Sequence, residues 1–513
     1  VLTSTPLLTP LLGQPAMTPL AVADPGGLVQ SVDWVAIAPP LTAALAGLVV
    51  LVADLFLKGS QKKALSWIAI GGLVLALAAL LPLALDSDAR STFCLADGGC
   101  SYVADHFTLA FQLLALGGAL IAALLSVHTV AADRLPGGEF WFLLLSSAAG
   151  AALLPASRDL ATLVVALEVA SLPAFALVAL RRDGRGAEAA LKFFLTSVTA
   201  TAVMLLGVSF VYAATGTLHL SAIADALTVA PAQLRHLAEA GAVLTLVGFA
   251  FKTAAVPFHF WVPDTYVGAP VPVAGYLSVV GKAAGLAGLA LVTTVAFRPY
   301  GHTWGLVLAV LAAVTMTAGN VAALRQRAAA PNSAVRLLAW SSVSQAGYLL
   351  VPLAAAGYAD SDRPVGATVA YALVYGVVNL GAFAAVAATG HSRLDDFQGL
   401  FARNRWTALA LAFFLLCLAG LPPGVVGLFG KVVVFRAAVD AGLGWLAVVM
   451  AANVVVALYY YLAWTAKLFA AGASAPARVP GPLRATLGLT AAVAVVLSVA
   501  PQLVLQVVSG SLF

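Results

Sequence analysis

The sequence predicts an all-α integral membrane protein, and three observations carry that expectation. Of 513 residues, 62% are hydrophobic and only 9% charged, whereas a soluble domain holds about 25% charged residues. Apolar runs of roughly 20 residues, enough to cross a bilayer, follow one another with short connections, so about fourteen spans fill the chain. Basic residues also fall mainly in every second connection.

Residues 1–30 are rich in Pro and Thr and hold no Lys or Arg. They lack the positive n-region of a cleavable signal peptide and read as an extension or re-entrant piece before the first span. Spans are then expected near 34–57, 64–85, 106–130, 139–157, 159–180, 188–214 and 237–258. Further spans are expected near 272–296, 303–324, 333–357, 365–389, 406–430, 437–467 and 483–508. With the loop of Lys58, Lys62 and Lys63 taken as cytoplasmic, that set of connections holds 16 basic residues and the opposite set 6. The positive-inside rule then supports fourteen crossings with both termini outside. Cys94 and Cys100 fall in an outer loop, where a disulfide and two free thiols are both open readings. The net charge of +5 comes without a basic patch interleaved with aromatics, so no nucleic-acid partner is expected. No Cys/His spacing suggests a metal site or another cofactor in this chain.

Five ionisable residues interrupt the apolar runs: Glu168, Lys192, Lys252, Lys282 and Lys431. A charge near the bilayer centre costs about 2.5–3.5 kcal/mol on insertion scales, so the default reading is an ion or proton path with partnered groups. Glu168, in LEVASLPAFAL (167–177), is expected to pair with Lys252 across neighbouring helices. Lys252 precedes Val256-Pro257, where proline frees a backbone carbonyl that only protein or water can satisfy inside a membrane. Lys282 lies mid-span among small residues, and Lys431 follows Pro422-Pro423. Lys192 sits one turn into its helix beside Arg181, Arg182 and Arg185, and an interfacial role competes there with a role in the path. His259 and Asp264 occupy the broken segment as hydrogen-bonding or relay groups. A Pro-interrupted, Lys-bearing span occurs seventh and again twelfth. Discontinuous helices at matching positions of inverted repeats are a recurrent transporter design.

These residues resemble the antiporter-like membrane subunits of respiratory complex I, and within them subunit N of bacterial NADH-quinone oxidoreductase. DWVAIAPPLTAALAGLVVLVADLF (33–56), EAALKFFLTS (188–197), FKTAAVPFHFWVPDTYVGAP (251–270), SSVSQAGYLL (341–350) and GLPPGVVGLFGK (420–431) follow in family order. The resemblance covers nearly the whole chain. It implies two inverted five-helix repeats and discontinuous helices 7 and 12. The segments would be 1–130 (extension and helices 1–3), 131–300 (helices 4–8), 301–470 (helices 9–13) and 471–513 (helix 14). It also implies that Glu168, Lys252, Lys282 and Lys431 form a proton relay, with Lys192, His259 and Asp264 secondary. Quinone reduction would drive that relay from partner subunits that hold FMN, iron–sulfur clusters and quinone. Other implied partners are an M-like antiporter subunit, small membrane subunits and the lipid of a bacterial inner (plasma) membrane. Relatives often carry histidine where this chain has Gln345, so water or another side chain must bridge that step. Two other readings are a subunit of an Mrp-type cation/proton antiporter and a non-pumping scaffold.

Overall fold

The structure, a computed structural model, describes residues 32–86, 88–95, 99–472, 479–509 and 512; the expected extension at 1–30 lies outside them. The first two spans are α1 (Trp34–Phe56) and α2 (Ala64–Ala78) with its continuation α3 (Leu81–Leu85). An antiparallel hairpin of β1 (Arg90–Cys94) and β2 (Cys100–Ala104) follows. Next come α4 (His106–Ala132), α5 (Gly137–Leu153), α6 (Leu160–Ala179), α7 (Gly184–Thr215) and the short α8 (Leu220–Thr228). The seventh span is α9 (Ala232–Thr253) with α10 (Trp261–Gly268). The eighth joins α11 (Val271–Tyr276) to α12 (Lys282–Leu291) through a π-helical turn at Leu277–Gly281, and ends in a second at Val292–Ala296. Then follow α13 (Gly301–Leu324), α14 (Ser333–Ala356), α15 (Arg363–Thr389), α16 (Leu400–Arg403), α17 (Arg405–Ala419) and α18 (Val425–Asp440). The described chain closes with α19 (Gly444–Phe469), α20 (Gly481–Val499) and α21 (Gln502–Ser509).

Among the described residues 13 helices are long and apolar enough to cross a bilayer, where the sequence predicts about fourteen. The difference is the twelfth crossing, divided between α17 with 15 residues and α18 with 16. Gly420 ends α17 in a left-handed conformation (φ 84), the usual helix C-terminal role of glycine, and Pro422 and Pro423 cannot continue the ladder. The thirteenth span accordingly starts at Gly444, not near 437. The seventh break also falls earlier than expected, after Thr253, where Ala254 takes a left-handed conformation (φ 63).

The connection at 86–104, expected as a loop, contains the only hairpin among the described residues, closed by a Cys94–Cys100 disulfide. It ties several helix ends together. Tyr102 donates to Ala36 O at 3.0 Å, the Arg158 amide donates to Ser101 O at 2.9 Å, and Arg158 pairs with Asp105. The Leu220 amide then donates to Arg158 O at 2.9 Å. Connections predicted to lie on the opposite side meet one another as well. Lys192 and Arg336 both reach Asp264, the Ala334 amide donates to Ser392 O, and Lys467 pairs with Asp395. The loops thus sort into a hairpin face and a basic face, as the charge alternation predicts. Between the faces, α11–α12, α14 and α15 are the most buried spans, and they carry or touch most of the candidate site.

Candidate functional site

Lys252 ends α9 and is buried. Its ammonium donates to Ser171 Oγ on α6 and Ser197 Oγ on α7, each at 2.7 Å. Glu168 lies one turn before Ser171, and its Oε1 accepts from Thr201 Oγ1 at 2.7 Å, one turn beyond Ser197. The expected Glu168–Lys252 pair is therefore not a direct ion pair. Two hydroxyl-bearing rungs, side by side on α6 and α7, hold the charges within electrostatic range of each other. Glu168 is also only half-buried, because its α6 face runs alongside exposed Val165, Val169 and Leu172.

The break after Lys252 has its backbone satisfied by side chains. Trp261 Nε1 donates to Phe251 O at 3.1 Å, and the Val256 amide donates to Thr315 Oγ1 at 2.9 Å. A cavity of 30 Å³ lies beside the lysine, lined by Ser147, Ser171, Lys252, Trp261, Tyr276 and Gly281. That is room for a water. Its wall reaches the turn that carries Lys282. At Gly285, one turn beyond Lys282, an added Cβ would meet Lys252 Cβ at 2.7 Å. Only glycine lets α12 approach the end of α9 this closely.

Lys282 is 2% exposed, and its ammonium donates to Ser342 O at 2.5 Å and to Ser342 Oγ on α14. The π-helical turn just before it widens the helix, a feature often found at functional sites. Lys431, on α18, is buried and donates to Leu418 O and Ala419 O, each at 2.8 Å. Those are carbonyls that the end of α17 leaves without an intrahelical donor. The ammonium also stands 5.6 Å from the centre of the Tyr348 ring. Between the two lysines runs a hydroxyl-rich layer. Tyr371 donates to Gln345 Oε1 at 2.5 Å, Gln345 Nε2 donates to Tyr461 at 3.4 Å, and Tyr461 and Ser341 share a 2.5 Å bond.

Lys192 departs from the expectation of a charge inside the apolar interior. Its side chain is 49% exposed at the basic face and bridges Glu188 (2.7 Å) and Asp264 (3.2 Å). Asp264 also takes Arg336 at 3.4 Å. These groups line a 360 Å³ cavity with Arg185 and Asn332. The starting residues of a peripheral helix account for the exposure: α7 buries little of its surface. His259 lies in the broken segment, 5.5 Å from Trp340 and near enough to Lys282 to feel its charge. Its Nδ1 is buried without a hydrogen-bond partner among the described residues. Ser171, Ser197, Thr201, Ser342, Tyr371, Tyr375 and Tyr461 were not singled out by the sequence. Their only signal is the one-turn spacing of Ser197 with Thr201 and of Tyr371 with Tyr375.

The transmembrane family described as NADH:quinone oxidoreductase/Mrp antiporter matches residues 157–457. The NADH-quinone oxidoreductase subunit N 2 of Streptomyces griseus subsp. griseus is 64% identical, with 97% of each chain covered. A chain of the respiratory complex I from Thermus thermophilus, solved with bound aureothin, superposes with a TM-score of 0.76 at 33% identity, covering 91% of this chain and 98% of that one. A chain of the Mrp complex from a Dietzia species gives a TM-score of 0.78 at 21% identity, covering 92% and 95%, a likeness of fold alone. Full-length identity to subunit N relatives, set against a fold-only likeness to the Mrp chain, decides the membership: the chain belongs to the NADH-quinone oxidoreductase subunit N family.

Proposed function

We propose that this chain translocates protons as a membrane subunit of an NADH-quinone oxidoreductase, through a relay of Glu168, Lys252, Lys282 and Lys431. The carrying observation is that three lysines are buried within spanning helices, each hydrogen-bonded to hydroxyls or to carbonyls freed by a helix break. Groups so placed are costly unless they work or are paired, and none of the three lysines has a carboxylate within salt-bridge distance among the described residues.

In this reading protons are taken up at the basic face through the cavity of Lys192 and Asp264 and pass His259 to Lys282. The protonation of Lys282 and that of Lys252 influence each other across the 30 Å³ cavity. Glu168, at the half-buried edge of α6, is the group through which a neighbouring subunit perturbs Lys252. Residues 131–300 and 301–470 act as two antiporter-like repeats, a reading supported by a Lys-bearing broken helix in each. The redox chemistry belongs to partner subunits with FMN, iron–sulfur clusters and quinone. An M-like subunit and small membrane subunits flank the chain in a bacterial inner (plasma) membrane. The basic face is cytoplasmic and both termini are outside. The disulfide on the hairpin face supports that orientation, since disulfides persist on the oxidising side.

The test is Lys282→Ala in the assembled complex in proteoliposomes. Quinone-coupled proton uptake should fall at least about tenfold, with NADH oxidation by the peripheral arm and assembly unchanged. Lys282→Arg should not restore it, because a guanidinium does not release its proton at accessible pH. Wild-type uptake in either variant would remove the relay.

A further inference from the structure

Gln345 poses a chemical problem, because an amide does not titrate and cannot take a proton from Lys282 and give it to Lys431. The geometry points to two tyrosines on α15, Tyr375 and Tyr371, as the proton-carrying bridge between Lys282 and Lys431, with Gln345 as the positioning residue that holds Tyr371 in place. This rests on the relay reading above and deepens it.

Four observations place the bridge. Tyr375 donates to Ser278 O at 3.2 Å, a carbonyl one helical turn before Lys282, and Ser342, the acceptor of the Lys282 ammonium, is near enough to interact with its hydroxyl. Tyr371 lies one turn away on the same face of α15, and both rings line a void of 10 Å³ together with Leu418. Leu418 O is one of the two carbonyls that hold Lys431. At Gly430, the residue before Lys431, an added Cβ would meet Tyr371 Cδ2 at 2.9 Å. The absence of a side chain there lets the tyrosine ring lie against the backbone of the lysine's own turn. The void is at the lower limit for one water, with the two phenols as its polar partners and Val374, Val378, Cys417 and Gly427 as its other walls.

Gln345 fixes the orientation of this layer. Its Oε1 accepts from Tyr371 and its Nε2 donates to Tyr461. Tyr461 therefore receives one hydrogen from the amide and shares a second bond with Ser341 Oγ. Tyr371 keeps its oxygen lone pairs free on the side away from the amide. Transfer then runs as a set of exchanges in which no phenolate is left. One N–H breaks on the Lys282 ammonium as Ser342 Oγ gains that hydrogen and passes its own to Tyr375. Tyr375 turns from Ser278 O and hands its hydrogen to one water in the void. That water passes one on to the Tyr371 oxygen, and Tyr371, turning its own hydrogen away from Gln345 Oε1, releases it to form the new N–H on a neutral Lys431 amine. One N–H has broken, one has formed, and every oxygen ends with the number of hydrogens it began with.

The test uses the assembled complex in proteoliposomes with Tyr371→Phe, Tyr375→Phe and Tyr371→Phe combined with Gln345→His, beside Lys282→Ala. Phenylalanine keeps the ring packing and removes only the hydroxyl. Each single Phe variant should lower proton uptake per quinone reduced by about tenfold or more. The added imidazole, which titrates near neutral pH, should bring the double variant back to within about threefold of wild type and give it a pH dependence that wild type lacks. Should a Phe variant assemble poorly, 3-fluorotyrosine at position 371 keeps the shape while acidifying the phenol, and uptake should then change its pH profile. Wild-type uptake in both Phe variants alongside a dead Lys282→Ala overturns the tyrosine bridge and leaves the relay standing. Wild-type uptake in all of them overturns both.

Discussion

The two broken helices treat their lysines in opposite ways. Lys252 sits before its break and is held by serine hydroxyls from two other helices. Lys431 sits after its break and is held by two carbonyls of the same broken span. A hydroxyl both donates and accepts, so Ser171 and Ser197 can serve either an ammonium or a neutral amine; a carbonyl accepts only. Lys252 is built to change partners with its charge. Lys431 stitches α17 to α18 while it takes part in transfer, so its removal should damage structure as well as activity.

The largest expected effect separates those roles. Lys252→Ala and Lys431→Ala should each lower coupled proton uptake by about tenfold or more, measured in proteoliposomes at matched assembly. Lys431→Ala should in addition lower the thermal stability of the complex, because an unpartnered buried carbonyl costs about 1–3 kcal/mol. Lys252→Ala leaves Ser171 its bond to Leu167 O and should melt within a degree or two of wild type. Equal melting points for the two variants would erase the distinction.

A smaller effect is expected from the hydroxyl rungs. The Ser171→Ala/Ser197→Ala double variant should reduce uptake by about five- to tenfold, the equivalent of about one net hydrogen bond, because water in the adjoining cavity takes over part of the contact. Ser197→Thr, which retains a hydroxyl, should stay near wild type. Damage from the Thr variant equal to that from the Ala pair would point to packing. Smaller again is the contrast at Glu168, where Gln should impair uptake more than Asp does, since Asp keeps the charge that Lys252 senses.

The smallest effect concerns a loop on the basic face. Burial first, and then the Arg403 guanidinium, hold His391 below the ordinary imidazole value, with Asp396 opposing. Since the folded state binds this proton less readily than the unfolded one, the loop's stability is full above the ordinary imidazole value and is lost as pH falls from there through the lowered folded value. Hydrogen exchange across 390–405 should therefore quicken modestly on acidification, and His391→Gln should flatten that response.

Much of this was legible in the residues, for reasons that also explain what was not. Spans announce themselves because a bilayer demands long apolar runs, and both breaks were visible in Val256-Pro257 and Pro422-Pro423. The lysines were legible because charge is rare in such runs. Continuous hydropathy across Gly420 hid how far the twelfth crossing extends, since α18 runs on to Asp440 where the next span was expected from 437. The hairpin was hidden because strands of five residues leave little pattern. Ser171, Ser197 and Tyr371 were hidden because hydroxyls are common in helices, and only packing between helices far apart in sequence gives them meaning. The placement of Lys192 misled because an apolar neighbourhood in sequence is not depth in the fold.

The wide turns of the eighth span preserve a phase. Each π-helical turn takes up one residue more than an α-turn, and one residue is about 100° of rotation in an α-helix. Lys282–Leu291 lies between two such turns, Leu277–Gly281 and Val292–Ala296. The wide turns absorb those extra residues, so the segments on either side keep the angular setting of a regular helix. Deleting a single residue from the first turn would regularise the helix with Lys282 still aimed at Ser342, whereas the same deletion in a regular α-helical span turns everything beyond it by about 100°. The eighth span thus carries a spare residue on each side of its lysine segment, a tolerance that substitution scans never sample and that a one-codon deletion would reveal.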